Sequence, residues 1–262
     1  MGGNLRLNRT LWILNGVLAF AAAAGGVIKR DIYTGLFPED FLPGAFPQDI
    51  LTMLMSVLLV LLALSTRAGD VRKQVVITGL IGSLFYLYGI FTIERVYNGL
   101  YLLYAAIFAL SFWTLISTLA KVRSASFSKL RVPKAILKTT AVTSIIIAGV
   151  FTVLWTAALI PLMRDHHRIE FMYSIYILDL CFIMPAFVIT AVMSLRGMPL
   201  GILMGPAIMI LGFFVIFPLG LNELAKPSWG MPINVGPMVV SFAFAAAMLT
   251  IGGLQIGKMH VD

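Results

Sequence analysis

The sequence predicts an all-α fold, a polytopic transmembrane bundle of eight helices with both termini on the cytoplasmic side. Composition is the first observation behind this. Of 262 residues, 60% are hydrophobic and 11% charged, with mean hydropathy +0.98. Soluble domains carry about 25% charged residues, so this chain has too little polar surface to stand in water. The second observation is segmentation, because a helix needs about 20 mostly apolar residues to cross hydrocarbon. Eight such runs occur, at 10–28, 49–66, 74–93, 98–120, 139–161, 172–195, 199–221 and 233–256. Each is continuously apolar, unlike the alternating ten-residue strands of an outer-membrane barrel.

Charge placement is the third observation. With the N-terminus inside, 13 of the 19 basic residues fall on inner segments beside only Asp70 and Asp262. The outer segments hold the other six basic residues beside eight acids, and Asp179 alone lies inside a span. That is the bias expected of cytoplasmic loops. The net charge of +8 therefore concerns which membrane face is basic, and a nucleic-acid partner is not expected. The first run also reads as a signal peptide, with Arg6 and Arg9 ahead of an apolar stretch ending in Ala21–Ala24. Its apolar length exceeds a usual signal core, so a retained first span is the expectation; cleavage would leave seven.

Two hydrophilic stretches stand out. Residues 29–48 are rich in Pro, Gly, acid and aromatic residues, and read as an ordered, turn-rich outer cap, since Tyr33, Phe37, Phe41 and Phe46 would otherwise be stranded in water. Residues 121–138 carry six basic residues interleaved with Ser124, Ser126 and Ser128. They read as a positive-inside determinant, with docking of anionic lipids as the sharper alternative.

Dividing the chain at about residue 131 places four spans in each half, 1–131 and 132–262. Asp179 follows Asp49 by 130 residues and Glu223 follows Glu94 by 129. A parallel 4+4 repeat with its axis along the membrane normal is one reading of this register. The poor match of the side chains between these acids argues for coincidence.

Ionisable residues within spans default to functional hypotheses. Asp179 lies about seven residues into the sixth span, roughly 10 Å below its outer end. It shares a helical face with Tyr176 and Ile183, and Pro185 is expected to kink the helix below it. The outer end of the third span offers Tyr86, Glu94, Arg95 and Asn98, with Arg95 a candidate partner for Asp49 or Asp179. Asp165, His166 and His167 lack metal-ligand spacing and read as a solvated turn, and no metal is assigned. One cysteine, three histidines and no mid-span lysine leave no basis for an iron–sulfur cluster, haem or retinal, so no cofactor is expected. Pro206 and Pro218 are expected to bend the seventh span, and Gly201–Gly205 and Gly253–Gly257 have the spacing of close helix contacts.

These residues predict a small-molecule or ion binding or transport protein with an outward-facing polar pocket lined by Asp179, Asp49, Glu94, Arg95, Asn98, Tyr86, Tyr176 and Glu223. Asp179 would take a proton or cation and Arg95 an anionic group. The nearly uncharged inner halves of the spans weigh against complete transport. Two alternatives remain open. One is an outer-leaflet lipid-modifying enzyme using Asp179 or Glu94 as base. The other is a membrane subunit that docks a partner through its outer loops, with Asp179 satisfied by its neighbours.

The run Phe46-Pro47-Gln48-Asp49, the pair Tyr86-x-Tyr88, the stretch Tyr97-Asn98-Gly99-Leu100-Tyr101-Leu102-Leu103-Tyr104, and Asp179 with Pro185-Ala186 resemble an uncharacterised family of prokaryotic integral membrane proteins with about eight spans. The resemblance covers most of the chain and implies a bacterial or archaeal inner membrane. It implies no reaction, substrate or site.

Overall fold

The computed structural model describes residues 2–67, 69–120 and 130–261. Helices α3 (Val71–Ile93) and α8 (Pro199–Ala225) form its centre because small residues line their contact. A Cβ on Gly79 would lie 2.8 Å from the Ala207 carbonyl oxygen, and one on Gly82 would lie 3.0 Å from the Leu211 side chain. The close approach buries 72% of the apolar stretch of α3 and 67% of that of α8, against 11% for α5 (Lys134–Arg164). Helices α1 (Gly2–Ile28), α2 (Leu42–Ser65) and α4 (Tyr101–Ala120) pack around α3. Helix α5, the sixth span Tyr173–Leu195 and α9 (Val235–Gly257) pack around α8.

All eight spans are long and apolar enough to cross a membrane. Polarity is inverted relative to a soluble bundle: Asn15, Ser111, Thr140 and Gln255 are buried, whereas Leu54, Val153 and Leu254 face outward. Hydrocarbon tolerates that surface and punishes any unsatisfied polar group left on it. Inside, Asn15 on α1 bridges to α4, accepting from Ser111 at 2.7 Å and donating to Thr114 at 3.0 Å. Thr140 donates to Gln255 at 2.6 Å, and Gln255 donates in turn to the Ile202 carbonyl at 2.9 Å. Such pairs join membrane helices at about 0.6 kcal/mol each.

Several sequence expectations are corrected in detail. Helix α2 begins at Leu42 and runs through Pro47, so Asp49 lies two turns inside it and does not open it. Pro43 occupies the first turn, where its missing N–H leaves no hydrogen bond unmade. Helix α4 begins at Tyr101, and Asn98 belongs to the preceding turn, its Oδ1 accepting from the Leu100 N–H at 2.9 Å. The sixth span is α6 (Tyr173–Leu178), a π-helical turn over Asp179–Ile183, and α7 (Met184–Leu195). Pro185 sits in the first turn of α7, and the wider turn before it absorbs the hydrogen bond that proline cannot make. Gly201 packs tightly on Met193 and Ser194, but Gly253 and Gly257 face open space; Gly252 makes the close contact, with Met209 of α8.

The cap is ordered. After α1 the chain makes 3-10 turns at Arg30–Tyr33 and Glu39–Phe41, and Phe37 stacks on buried Tyr33 at 5.2 Å. At the end carrying both termini, Leu130–Arg131 pairs antiparallel with His260–Val261. Leu130 and Met259 pack there with Val71, Val75 and Leu203. Arg72 donates to the Met259 carbonyl at 2.7 Å. Of the 121–138 segment, Arg131, Lys134 and Lys138 are exposed, and residues 121–129 lie outside the described residues.

Candidate functional site

The residues singled out from the sequence do not share one chamber. Four groupings hold them, and α3 separates the two intramembrane aspartates. Tyr86 and Tyr88 are two residues apart on this helix and point to different sides: Tyr88 joins the core around Tyr33 and Tyr104, and Tyr86 the core around Leu178 and Ile183.

On the first side, Asp49 is buried and both its carboxylate oxygens lie within 3.2 Å of the Tyr33 hydroxyl, which donates. Helix α1 supplies the opposite wall, where a Cβ on Gly26 would run into Asp49 Oδ2. Tyr104 borders the same group and accepts from Asn98 Nδ2 at 3.2 Å. Burial, and then the neighbouring carboxylate, push the Tyr33 phenol far above its ordinary value, so it remains a neutral donor.

On the second side, Asp179 opens the π-helical turn and is equally buried. Trp155 Nε1 of α5 donates to its Oδ2 at 2.7 Å, and the Tyr86 hydroxyl stands close to the same carboxylate. Tyr176 sits edge-on to the Trp155 ring at 5.4 Å. The sequence pointed to Asp179, Tyr86 and Tyr176, and they do come together. It missed Trp155, because a single indole near a helix end reads as part of the interfacial belt.

Glu94 and Glu223 serve as helix caps. Glu94 Oε1 accepts from the Ser174 N–H at 2.9 Å, placing a carboxylate at the N-terminus of α6. Among the described residues its Oε2 is buried without a hydrogen-bond partner, as is the Ser174 hydroxyl. Glu223 Oε2 accepts from the Asn234 N–H at 2.9 Å at the start of α9, while its Oε1 holds buried Lys226 at 2.6 Å. Negative charge at a helix N-terminus contributes about 0.3–1 kcal/mol. Arg95 pairs with neither aspartate. It has a left-handed backbone, φ +59°, and its Nε donates to Tyr173 Oη at 2.8 Å. Tyr173 Oη in turn donates to the Ile93 carbonyl at 2.6 Å.

Two open grooves flank this turn. One, of about 520 Å³, is lined by Ile93, Arg95, Arg168, Ile169, Glu170 and Tyr173. The other, of about 600 Å³, runs between the ends of α5 and α6, with Leu159, Leu162 and Met163 facing Ile177, Leu180 and Cys181. They meet at Arg168, Ile169 and Tyr173, which line both. His166 and His167 stand on the rim of the second, both exposed. Arg168 makes no ion pair or hydrogen bond among the described residues, and Arg164 is held by Asp165 at 2.9 Å. The sequence did not single out Arg168, one basic residue among six on that side; only its place in the fold distinguishes it.

The fold and these groupings define a multi-pass integral membrane protein with buried acids inside and an open basic groove at one end. No family model, curated protein or solved structure matches the chain.

Proposed function

We propose that the protein binds a small anionic molecule at its outer face, in the groove where Arg95 and Arg168 come together. The charge distribution supports placing this groove on the outer face, with both termini in the cytoplasm, and the resemblance noted above implies a prokaryotic inner membrane. One observation carries the reading: two guanidinium groups share an open groove with a single acid, Glu170. Arg95 is fixed by Tyr173 through its Nε alone, and that hydrogen bond raises its basicity further, so the charge is permanent. Arginine's planar donors suit carboxylate and phosphate oxygens. Asp49, Asp179, Glu94 and Glu223 then serve the scaffold, holding helices in register around the groove.

Titration calorimetry of the full chain with glycerol 3-phosphate tests this. Saturable binding is expected, weakened at least about 10-fold, or 1.4 kcal/mol, by Arg95→Gln or Arg168→Gln. Absence of binding, or variants that bind equally well, would sink the proposal. A second reading, a membrane subunit that docks a partner, is favoured by one observation: Asp179 is buried inside the bundle with Trp155 donating to its carboxylate. Full affinity of a co-purifying protein after loss of the groove arginines would support it.

A further inference from the structure

We infer that the ligand is an outer-leaflet lipid with a phosphate headgroup, its acyl chain lying in the apolar groove between α5 and α6. This rests on the anion site proposed above and names the class of molecule that fits it. The apolar groove starts beside the two arginines and descends along α6. From Tyr173 to Cys181 the sixth span advances eight residues, about 12 Å at 1.5 Å per residue. A 30 Å hydrocarbon core gives each leaflet about 15 Å, so the groove follows one leaflet over most of its depth. The walls are aliphatic, from Leu159, Leu162 and Met163 on one side and Ile177 and Leu180 on the other. Tyr173 and Tyr176 mark the interfacial level, where phosphates lie. A soluble anion has no use for the apolar groove and a neutral lipid none for the arginines. A chain carrying an anionic head occupies both, and its charge complements Arg168, which is otherwise unpaired among the described residues.

Cys181, the sole cysteine, is exposed in the wall of the apolar groove and reports its occupancy. The experiment follows its alkylation by N-ethylmaleimide in the full chain, in maltoside micelles free of phospholipid, with 1-acyl-glycerol 3-phosphate, glycerol 3-phosphate or monoacylglycerol added. The acylated phosphate is expected to slow alkylation about 10-fold, equivalent to 1.4 kcal/mol of occupancy. Glycerol 3-phosphate and monoacylglycerol are expected to leave the rate unchanged, and Arg168→Gln to abolish the protection. Equal protection by monoacylglycerol would overturn the inference, since charge would not be read. No protection by the acylated phosphate while glycerol 3-phosphate still binds would overturn it too, and would leave the anion site standing. Loss of glycerol 3-phosphate binding itself is the separate failure that removes the anion site.

Helix adjacency carries a second inference independently. Numbering the spans in order, the first packs on the second, third and fourth, and the fifth on the sixth, seventh and eighth. The second packs on the third and seventh, and the sixth on the seventh and third. The third packs on the fourth, the seventh on the eighth, and the third and seventh on each other. Exchanging spans one to four with five to eight returns the same set of neighbours. Asp49 packs on Gly26 and Asp179 bonds Trp155, positions 130 and 129 residues apart. We propose that the chain is a parallel duplication, two four-span units related by a pseudo-two-fold axis along the membrane normal at the α3–α8 contact. An experimental structure tests it by superposing the halves. A rotation near 180° about the normal that carries Asp49 onto Asp179 is expected. An axis in the membrane plane, or a best match between different spans, would refute it.

Discussion

Asp49 and Asp179 are the two aspartates buried within spans, and their surroundings differ. Asp49 is closed over by the cap, whose Tyr33 donates to its carboxylate and whose Phe37 stacks on Tyr33. Asp179 has no such cover. The connection between α5 and α6 spans only residues 165–172, against 29–41 between α1 and α2, and beside it both grooves remain open. A capped acid in one half and an open groove in the other teach that loop length, more than the helices, decides which half stays open at that end. The capping acids differ as well: Glu223 has Lys226 beside it, and Glu94 has no cation within ion-pair distance among the described residues.

Substitutions sharpen this comparison, read by unfolding of the purified protein. The largest effect is expected at Lys226→Met, which strands a buried carboxylate and costs about 3–5 kcal/mol. Its counterpart Glu94→Gln, with no cation to strand, should lose only about 1 kcal/mol of capping. If the two prove equal, the Lys226–Glu223 pair has no structural weight. Gly26→Ala forces a Cβ into Asp49 and Tyr33 and should cost about 1–3 kcal/mol, whereas Gly253→Ala, in open space, should stay within about 0.5 kcal/mol. Tyr33→Phe removes the only hydrogen-bond donor on the Asp49 carboxylate among the described residues, at about 1–3 kcal/mol. Trp155→Phe should cost less, about 0.6–1.7 kcal/mol, because the Tyr86 hydroxyl beside Asp179 can turn to donate in its place. The reverse order would mean the cap does not govern the first half.

The smallest effect is a pH dependence. The buried Tyr33 phenol keeps its proton in the fold, while in the unfolded chain it ionises near its ordinary value of about 10. A raised folded value gives stability that is complete below pH 10 and falls as pH climbs past it. Tyr33→Phe should remove one tyrosine's share of that slope in a pH series of melting curves; an unchanged slope would place the titration elsewhere.

Much of the architecture was legible in the chain. Periodic apolar length fixes a span because hydrocarbon thickness is constant, and all eight runs appear as helices. Boundaries shifted where proline and capping intervened, as at Leu42 for α2 and Tyr101 for α4. The trios around Asn15 and Gln255 escaped notice because an isolated polar residue in a span does not announce its partner. Asp179, Tyr86 and Tyr176 met as one group, but Asp49 did not join them, since residues two apart on α3 face different cores.

Composition, span number and the basic bias of one face follow from the sequence by itself, because each depends on the partition of single residues or short segments between water and hydrocarbon. Which acids meet, which loops seal them and where two arginines share a groove were decided only by the tertiary structure. Those outcomes depend on helix rotation and neighbour order, set by close contacts such as Gly79 against Ala207 between residues far apart in the chain.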